Sequence, residues 1–241
     1  GRVLFLLPFF GRTQVGTTDK PCEIKEAQIP SLGEENYLLR YVKQLFPDLK
    51  KPVVKSLWAG GRPLVKPPES SKESSRLVRE HEIETLPCGL ISAMGGKWTS
   101  CRLIALDTLE AVEQFIGQKL PQPKLLPLIG SSTCFDKTLK LLFEQRALLS
   151  QYLPNSLHKE KQIDHLQSNY GLEALSIISN YEFSQLEPLS SVIPLTHAEI
   201  IHAIRFEHAK TPTDILARRC RLAMVDLPES KRLLSLVQEE L

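Results

Sequence analysis

The sequence predicts an α+β body followed by a small all-helical domain. Residues 1–118 alternate between short apolar strand patterns and helical stripes. Residues 118–130 (QKLPQPKLLPLIG) contain three prolines, which is typical of a linker. Beyond them, apolar residues recur at helical spacing almost throughout. We therefore expect a body at 1–118, a linker at 119–133 and a helical domain at 134–241.

The body is expected to contain paired strands and two helices. Strands are predicted at Val3–Leu7 and Thr13–Gly16, on either side of a Phe-Gly-Arg turn. A first helix should begin at Ser31, because Ser31 and Glu34 have capping-box spacing. Further elements are expected along the body: strands at Val53–Trp58, Glu80–Glu84 and Gly89–Met94, a second helix from Thr99 to Ile116, and a polar surface loop at Lys66–Arg76.

Two helix starts can be placed in the helical domain. Thr196 and Glu199 form a capping box. Thr211–Asp214 places Thr at the N-cap, Pro at the first helical position and an acid in the first turn. Arginines 218, 219 and 221 are interpreted as last-turn charges that complement the helix dipole, with a partner or lipid patch as the alternative.

Composition excludes several classes of function. Thirty basic and 28 acidic residues leave a net charge of +2, which predicts no nucleic-acid partner. The five cysteines are scattered without a CxxC pair, which indicates reduced thiols and neither a disulfide framework nor a zinc site. His197 and His202 are five residues apart and would point about 140° apart on a helix, so we expect no metal site there.

The stretch from Met94 to Thr99 (MGGKWT) is the most informative candidate site. An apolar strand leads into Gly95 and Gly96, then Lys97, then a helix start. Glycines allow close approach of the backbone to a ligand, and a helix N-terminus presents free N–H groups to an anion. This is not a Walker A loop, because its first Gly is absent and Trp98 follows the Lys. A Gly-Gly turn without a ligand is the alternative.

Two arginines are weaker candidates for an anion site. In the run WAGGRPL, Arg62 follows two glycines on a backbone stiffened by Pro63, and could grip a phosphate bidentately. Strand alternation would place Arg79 and His81 on one face. Each arginine could equally be a solvated surface residue. Residues 16–19 (GTTD) fit either a ligand loop or a strand end.

Taken together and in order, these motifs resemble the second half of FAD-dependent glycerol-3-phosphate dehydrogenases. The matching runs are GRVLFLLPF and GTTD, WAGGRPLV, the Arg79-x-His81 pair, GLISAMGGKWTSCR, SNYG at 168–171 and EHAKTPTDILARRCRLAMVD at 207–226. The resemblance covers most of the chain except the linker and the helix after it. Each motif alone is weak, whereas their common order is strongly specific.

The resemblance implies oxidation of sn-glycerol 3-phosphate to dihydroxyacetone phosphate, with the hydride passing to FAD and the electrons to a membrane quinone. Arg62 and Arg79 would bind the substrate phosphate. Lys97 would act near the flavin and substrate, where Gly95, Gly96, Trp98 and Thr99 would line the flavin. The helix from Thr99 would aim its dipole at the flavin N1–C2=O edge. The body would be the α/β-type portion of an FAD oxidoreductase.

Three departures from the family pattern qualify these implications. Gly61 stands where the family usually has a small aliphatic residue or Leu. Ser100 and Cys101 stand where the family usually has Thr and Tyr. No G-x-G-x-x-G occurs, so we expect that the dinucleotide-binding half and the catalytic base are missing. Because the sequence begins at Gly1 within a strand pattern, we expect the chain to be a fragment. Such a fragment should hold FAD weakly.

The resemblance also predicts partners and location. It implies peripheral association with a bacterial cytoplasmic or mitochondrial inner membrane, with a cytoplasmic location as the alternative, and it is compatible with a homodimer. Two other functions stay open: an oxygen-using oxidase, and a non-catalytic interaction module that keeps the fold.

Overall fold

A computed structural model describes residues 3–50, 52–62, 80–121 and 124–241. The chain divides into two compact units, one formed by Gly1–Ala59 with Leu126–Leu241, the other by Gly60–Leu125. The predicted loop Lys66–Arg76 and Arg79 lie outside the described residues. The predicted domain boundaries stay a prediction.

The described chain is rich in helix, with two short antiparallel hairpins. The strands are β1 Phe5–Phe9, β2 Arg12–Gly16, β3 His81–Thr85 and β4 Ile91–Gly95. The α-helices are α1 Leu32–Leu45, α2 Cys101–Ile116, α3 Phe135–Tyr152, α4 Lys159–Tyr170, α5 Ala174–Ile178, α6 His197–Arg205, α7 Leu222–Val225, α8 Leu227–Arg232 and α9 Leu234–Glu240. A helical C-terminal domain is therefore present, as expected.

The first hairpin confirms the predicted pair of strands and corrects its end. Pairing does not stop at Leu7 but continues through Pro8 opposite Thr13 to Phe9 opposite Arg12. Proline is tolerated there because the sheet has two strands and Pro8 can face its open edge. Phe10 and Gly11 both have positive φ, 48° and 73°, the combination that a tight hairpin turn of type I′ requires.

Helix α1 begins at the predicted capping box. The Ser31 N–H donates to Glu34 Oε2 at 3.1 Å, and the Thr18 hydroxyl donates to Glu34 Oε1 at 2.7 Å. The Thr18 bond above all, with the Ser31 bonds and Lys20, lowers the pKa of Glu34 to about 2. The GTTD segment is therefore held to the start of α1.

The predicted strand Val53–Trp58 is wrong. Described residues 52–62 contain neither helix nor strand. Two of these residues bond to the helical domain instead of to another strand: Lys55 C=O accepts from Leu227 N–H at 3.2 Å, and the Ser56 hydroxyl donates to Ala223 C=O at 2.6 Å. A strand needs a partner strand to satisfy its backbone hydrogen bonds, and Ala223 and Leu227 belong to helices α7 and α8.

The helical domain carries most of the buried core. One cluster of buried residues joins the C-terminal helices: Ile193, Leu195, Ile200, Ala203, Ala209, Ile215, Leu216, Cys220, Leu222, Val225, Leu233 and Val237. A second joins α3, α4 and α5: Leu149, Leu153, Ile163, Leu166, Ala174, Ile177, Ile178, Leu186 and Ala198. Phe9 packs against the first cluster, so the tip of the first hairpin completes that core.

The two predicted helix starts in this domain are present. Thr196 caps α6, with Glu199 N–H donating to the Thr196 hydroxyl at 3.3 Å. Asp214 N–H likewise donates to the Thr211 hydroxyl at 3.2 Å. The helix after Thr211 is, however, π-helical over Asp214–Arg219, a widening that the start motif does not encode.

Two glycines allow the backbone of the linker to pass directly against the turn that follows α4, a contact that we call the glycine crossing. Gly130 and Gly171 have φ of 79° and 57°. An added Cβ on Gly130 would overlap the Tyr170 carbonyl, and one on Gly171 would overlap the Gly130 carbonyl. Gly130 C=O accepts from Leu172 N–H at 2.8 Å, so the crossing is also hydrogen-bonded.

Candidate functional site

The predicted site lies where β4 turns into α2. Gly95 and Gly96 have φ of 70° and 82°, and Lys97 is extended at φ −116° and ψ 144°. A 3₁₀ turn over Trp98–Ser100 then leads into α2. The predicted helix after Gly-Gly-Lys is confirmed, with its first residues wound more tightly than an α-helix. Positive φ at two successive positions explains the glycine pair.

The turn presents a cation, free N–H groups and an indole ring. The Ser100 N–H and hydroxyl both donate to Lys97 C=O, at 3.0 and 2.9 Å. The N–H groups of Trp98 and Thr99 precede this first bond and so have no acceptor within the turn. Trp98 is 90% exposed, and Lys97 is also exposed. Such a surface suits a planar ligand with negative charge at one edge.

Gly96 has a second role that the sequence did not reveal. A Cβ at this position would lie 2.7 Å from Ile104 Cδ1 and 3.1 Å from His81 Cβ. Glycine is therefore needed for packing of the second hairpin against α2. This contact accounts for Gly96 without a ligand, and its role at the cofactor stays a prediction.

Next to the turn is a pair that sequence reasoning missed. His81 lies opposite Gly95 in the hairpin, and its Nε2 is 2.7 Å from Asp107 Oδ2 on α2. The His81 side chain is 16% exposed and that of Asp107 41%. In the sequence, His81 is indicated only by the strand alternation that places it on one face with Arg79. Asp107 comes 26 residues later in the chain, beyond the range of any local pattern.

The predicted phosphate arginines are not brought together by what the structure describes. Arg62 is exposed in a segment without helix or strand, and Arg79 lies outside the described residues. Their binding of phosphate stays a prediction. Gly95, Gly96, Lys97, Trp98 and Thr99 form the turn between β4 and α2, and their contact with a flavin also stays a prediction.

The helical domain contains a buried polar network, also missed. His165 Nε2 is 2.7 Å from Glu199 Oε1, with these side chains 5% and 1% exposed. Asn169 Nδ2 lies 3.0 Å from His165 Nδ1. Burial above all, then the charge of Glu199, raises the pKa of Tyr170 well above its ordinary value. His165 and Glu199 are 34 residues apart in the chain. The capping box and a rejected metal-ligand grouping marked Glu199 in the sequence, and neither relates it to His165.

Two further properties of the described part of the chain concern metal-ligating groups and membrane-spanning helices. There, no group of three or more His, Cys, Asp or Glu side chains is arranged to hold a metal ion. Among the described helices, none combines the length and the apolar character needed to cross a bilayer.

Comparison with known proteins identifies the family. Residues 122–241 match the C-terminal domain of alpha-glycerophosphate oxidase. The probable mitochondrial glycerol-3-phosphate dehydrogenase of Dictyostelium discoideum is 33% identical over 240 residues, which cover 94% of this chain and 36% of that protein. The chain belongs to the glycerol-3-phosphate dehydrogenase family.

Other members of this glycerol-3-phosphate dehydrogenase family give the same picture. The mitochondrial enzymes of Schizosaccharomyces pombe and Homo sapiens are 31% and 28% identical, over 93% and 99% of this chain. The chain spans only 39% and 33% of their lengths. The fold is shared with the glycerol-3-phosphate dehydrogenase from Bacillus halodurans, solved in complex with FAD: the TM-score is 0.72 at 22% identity, covering 100% of this chain and 51% of that one.

Proposed function

We propose that this chain is the substrate-binding and flavin-edge part of an FAD-dependent glycerol-3-phosphate dehydrogenase. The observation that carries the proposal is the Gly95–Thr99 turn, with its cation and free N–H groups, in a chain whose relatives are named glycerol-3-phosphate dehydrogenases. The described body would then be the α/β-type portion of the oxidoreductase. Its dinucleotide-binding partner would come from the remaining length that the relatives have.

The residues of the turn fit the edge of a flavin. Lys97 supplies a positive charge, the 3₁₀ turn before α2 supplies the N–H donors of Trp98 and Thr99, and the Trp98 ring is exposed. The chemistry that FAD would supply here is acceptance of the hydride from C2 of glycerol 3-phosphate. Lys97 and the 3₁₀ turn would stabilise negative charge at the flavin edge, while Arg62 and Arg79 would hold the substrate phosphate.

The electron acceptor in this proposal is a quinone, reached through peripheral membrane association. The support is the naming of the relatives as mitochondrial dehydrogenases. Turnover with oxygen and peroxide release, in place of quinone reduction, would assign the chain to the oxidase branch instead.

The proposal is tested first at Lys97. In the intact FAD-bound protein, Lys97→Met keeps the aliphatic stem and removes the charge. Losing one charge-assisted contact should lower the flavin reduction potential and slow reduction by glycerol 3-phosphate about 10- to 150-fold. Redox titration and stopped-flow absorbance measure the two quantities, with Lys124→Met in the linker as the control. An unchanged potential and rate would remove Lys97 from the site.

The phosphate site is tested at Arg62. Arg62→Ala should reduce kcat/KM for glycerol 3-phosphate about 10- to 100-fold, because a charge-assisted contact to the phosphate is lost. Unphosphorylated glycerol, if it reacts, should be oxidised at an unchanged rate. Equal losses with both substrates would indicate damage to the fold rather than to a phosphate site.

A further inference from the structure

One histidine joins the three elements around the turn that carries Lys97, all within the Gly60–Leu125 unit. His81 is the first residue of β3 and pairs with Gly95, the last residue of β4, at the open end of the second hairpin. Its Cβ lies 3.1 Å from the position that a Cβ on Gly96 would occupy. Its ring reaches α2, where Nε2 is 2.7 Å from Asp107 Oδ2. The backbone, Cβ and ring of one residue therefore contact β4, the turn and α2.

The turn has little to restrain it before Lys97. Gly95 and Gly96 both have positive φ, and glycine has more accessible backbone conformations than any other residue. The open end of a two-stranded hairpin also frays easily. The Ser100 bonds to Lys97 C=O fix the chain after the lysine and not the two glycines before it. The direction of Lys97 therefore depends on what holds Gly95 and Gly96 in place.

The His81–Asp107 pair can provide that restraint. A carboxylate accepts and an imidazole N–H donates, so the proton lies on Nε2 and the bond fixes the orientation of the ring. The His81 side chain is largely buried, whereas the Asp107 side chain is 41% exposed. A pair that is so accessible to water contributes little to overall stability. The bond therefore has a larger effect on where the end of the hairpin lies on α2 than on whether the unit folds.

We propose that His81 is a positioning residue, which through its bond to Asp107 holds the Gly95–Gly96 turn so that Lys97 faces the flavin edge. The pair acts on the flavin through the placement of the lysine and does not touch the cofactor. The inference rests on the proposed function, because it takes Lys97 as the cation at the flavin.

Three variants test the pair in the intact FAD-bound protein. Asp107→Ala removes the acceptor without touching the turn, and alanine favours the helix in which it stands. His81→Phe keeps a ring on the Cβ that packs against Gly96 but cannot donate to Asp107. His81→Gln keeps an N–H donor at about the same reach and should restore the bond. Glu110→Ala is the matched control, because it removes an exposed carboxylate from the same helix.

Flavin reduction should separate positioning from stability. Asp107→Ala and His81→Phe should each slow reduction by glycerol 3-phosphate about 3- to 10-fold. A similar factor in the equilibrium lowers the potential of a two-electron couple by about 15–30 mV. These effects are smaller than those of Lys97→Met, because the charge is displaced and not removed. KM should stay within about two-fold of wild type, since the phosphate contacts are unchanged. His81→Gln and Glu110→Ala should resemble wild type.

The double variant tests whether the two residues act as one. Asp107→Ala combined with His81→Phe should reduce flavin no more slowly than either change alone, because both break the same bond. Additive losses would show two separate effects and overturn the pair. A lower Tm with an unchanged potential in both single variants would make the pair a stabilising contact only, which also overturns the proposal.

Hydrogen exchange gives a readout that needs neither turnover nor cofactor. In the 241-residue chain, peptides covering residues 91–100 should exchange faster in Asp107→Ala and His81→Phe than in Glu110→Ala. Equal exchange would overturn the restraint, and faster exchange with an unchanged potential would overturn its link to Lys97. If Lys97→Met itself leaves the potential unchanged, the proposed function fails at this turn, and exchange alone then decides whether His81 and Asp107 restrain it.

Discussion

The helical domain and the β3–β4–α2 unit differ in what they bury. The domain encloses two apolar clusters and a His165–Glu199 network that is almost fully buried. In the β3–β4–α2 unit, by contrast, none of the described residues is buried. Large apolar side chains there stay exposed, including Leu90, Trp98, Leu103, Phe115 and Ile116.

This difference separates a region that is stabilised by its own core from one that is held mainly by backbone pairing. Burial of apolar area provides most of the free energy of folding. The helical domain has that source within its own sequence, whereas the β3–β4–α2 unit has an amphipathic hairpin on one helix. The region with the better-defined core is therefore not the one that carries Lys97.

The largest expected effect of this contrast is in hydrogen exchange of the 241-residue chain. Amides of α4 and α6 should exchange at least about 100-fold more slowly than those of β3, β4 and α2, because local opening of the latter exposes little buried surface. Mass spectrometry of peptides from one sample provides the internal comparison. If β3, β4 and α2 were as well protected from exchange as α4 and α6, and this protection fell on dilution, copies of the chain would be covering the exposed apolar side chains.

The second prediction compares two helix caps in which a Thr is followed three residues later by an acidic residue. Glu199→Ala should lower the free energy of unfolding by about 3–5 kcal/mol, because it breaks a buried pair with His165 as well as a cap. Asp214→Ala should lower the free energy of unfolding much less, because the Asp214 side chain is a quarter exposed and water can replace its hydrogen bonds. Urea unfolding followed by circular dichroism measures both, and similar losses would contradict the importance of the buried pair.

The third comparison concerns the close contact of Gly130 with Gly171. Gly130→Ala should lower the free energy of unfolding by about 2–4 kcal/mol, because alanine is strained at φ 79° and its Cβ meets the Tyr170 carbonyl. Gly60→Ala is the control, since Gly60 has no atom within 4 Å of the added Cβ and no positive φ. Thermal unfolding measures the loss of stability in both variants. Equal losses would show that the backbone around Gly130 shifts to accommodate the added Cβ.

Sequence reasoning succeeded where the governing interactions are local. The capping boxes at Ser31 and Thr196, the first hairpin and the helix after Lys97 depend on residues within a few positions of each other. Such patterns are encoded in short spacings that a single sequence displays.

It failed where partners are distant in the chain. The strand predicted at Val53–Trp58 bonds instead to residues near 223 and 227. Arg12 and Asp226 pair across 214 positions, and His81 meets Asp107 only after the hairpin packs on α2. For the candidate site, the turn itself was predictable. The bonds of Lys55 and Ser56 to the helical domain were not, because no spacing rule relates them to Leu227 or Ala223.

The contact between Gly130 and Gly171 also determines where the proline-containing linker can be lengthened. Its far end is fixed by a backbone contact and by the Leu172 N–H bond. Residues added within 124–129 lengthen only a stretch without helix or strand, and each doubling of such a loop costs only about 0.6 kcal/mol. Residues added between Gly130 and Phe135 would instead shift α3 against a fixed point. Insertions should therefore be tolerated on one side of a single glycine and rejected on the other.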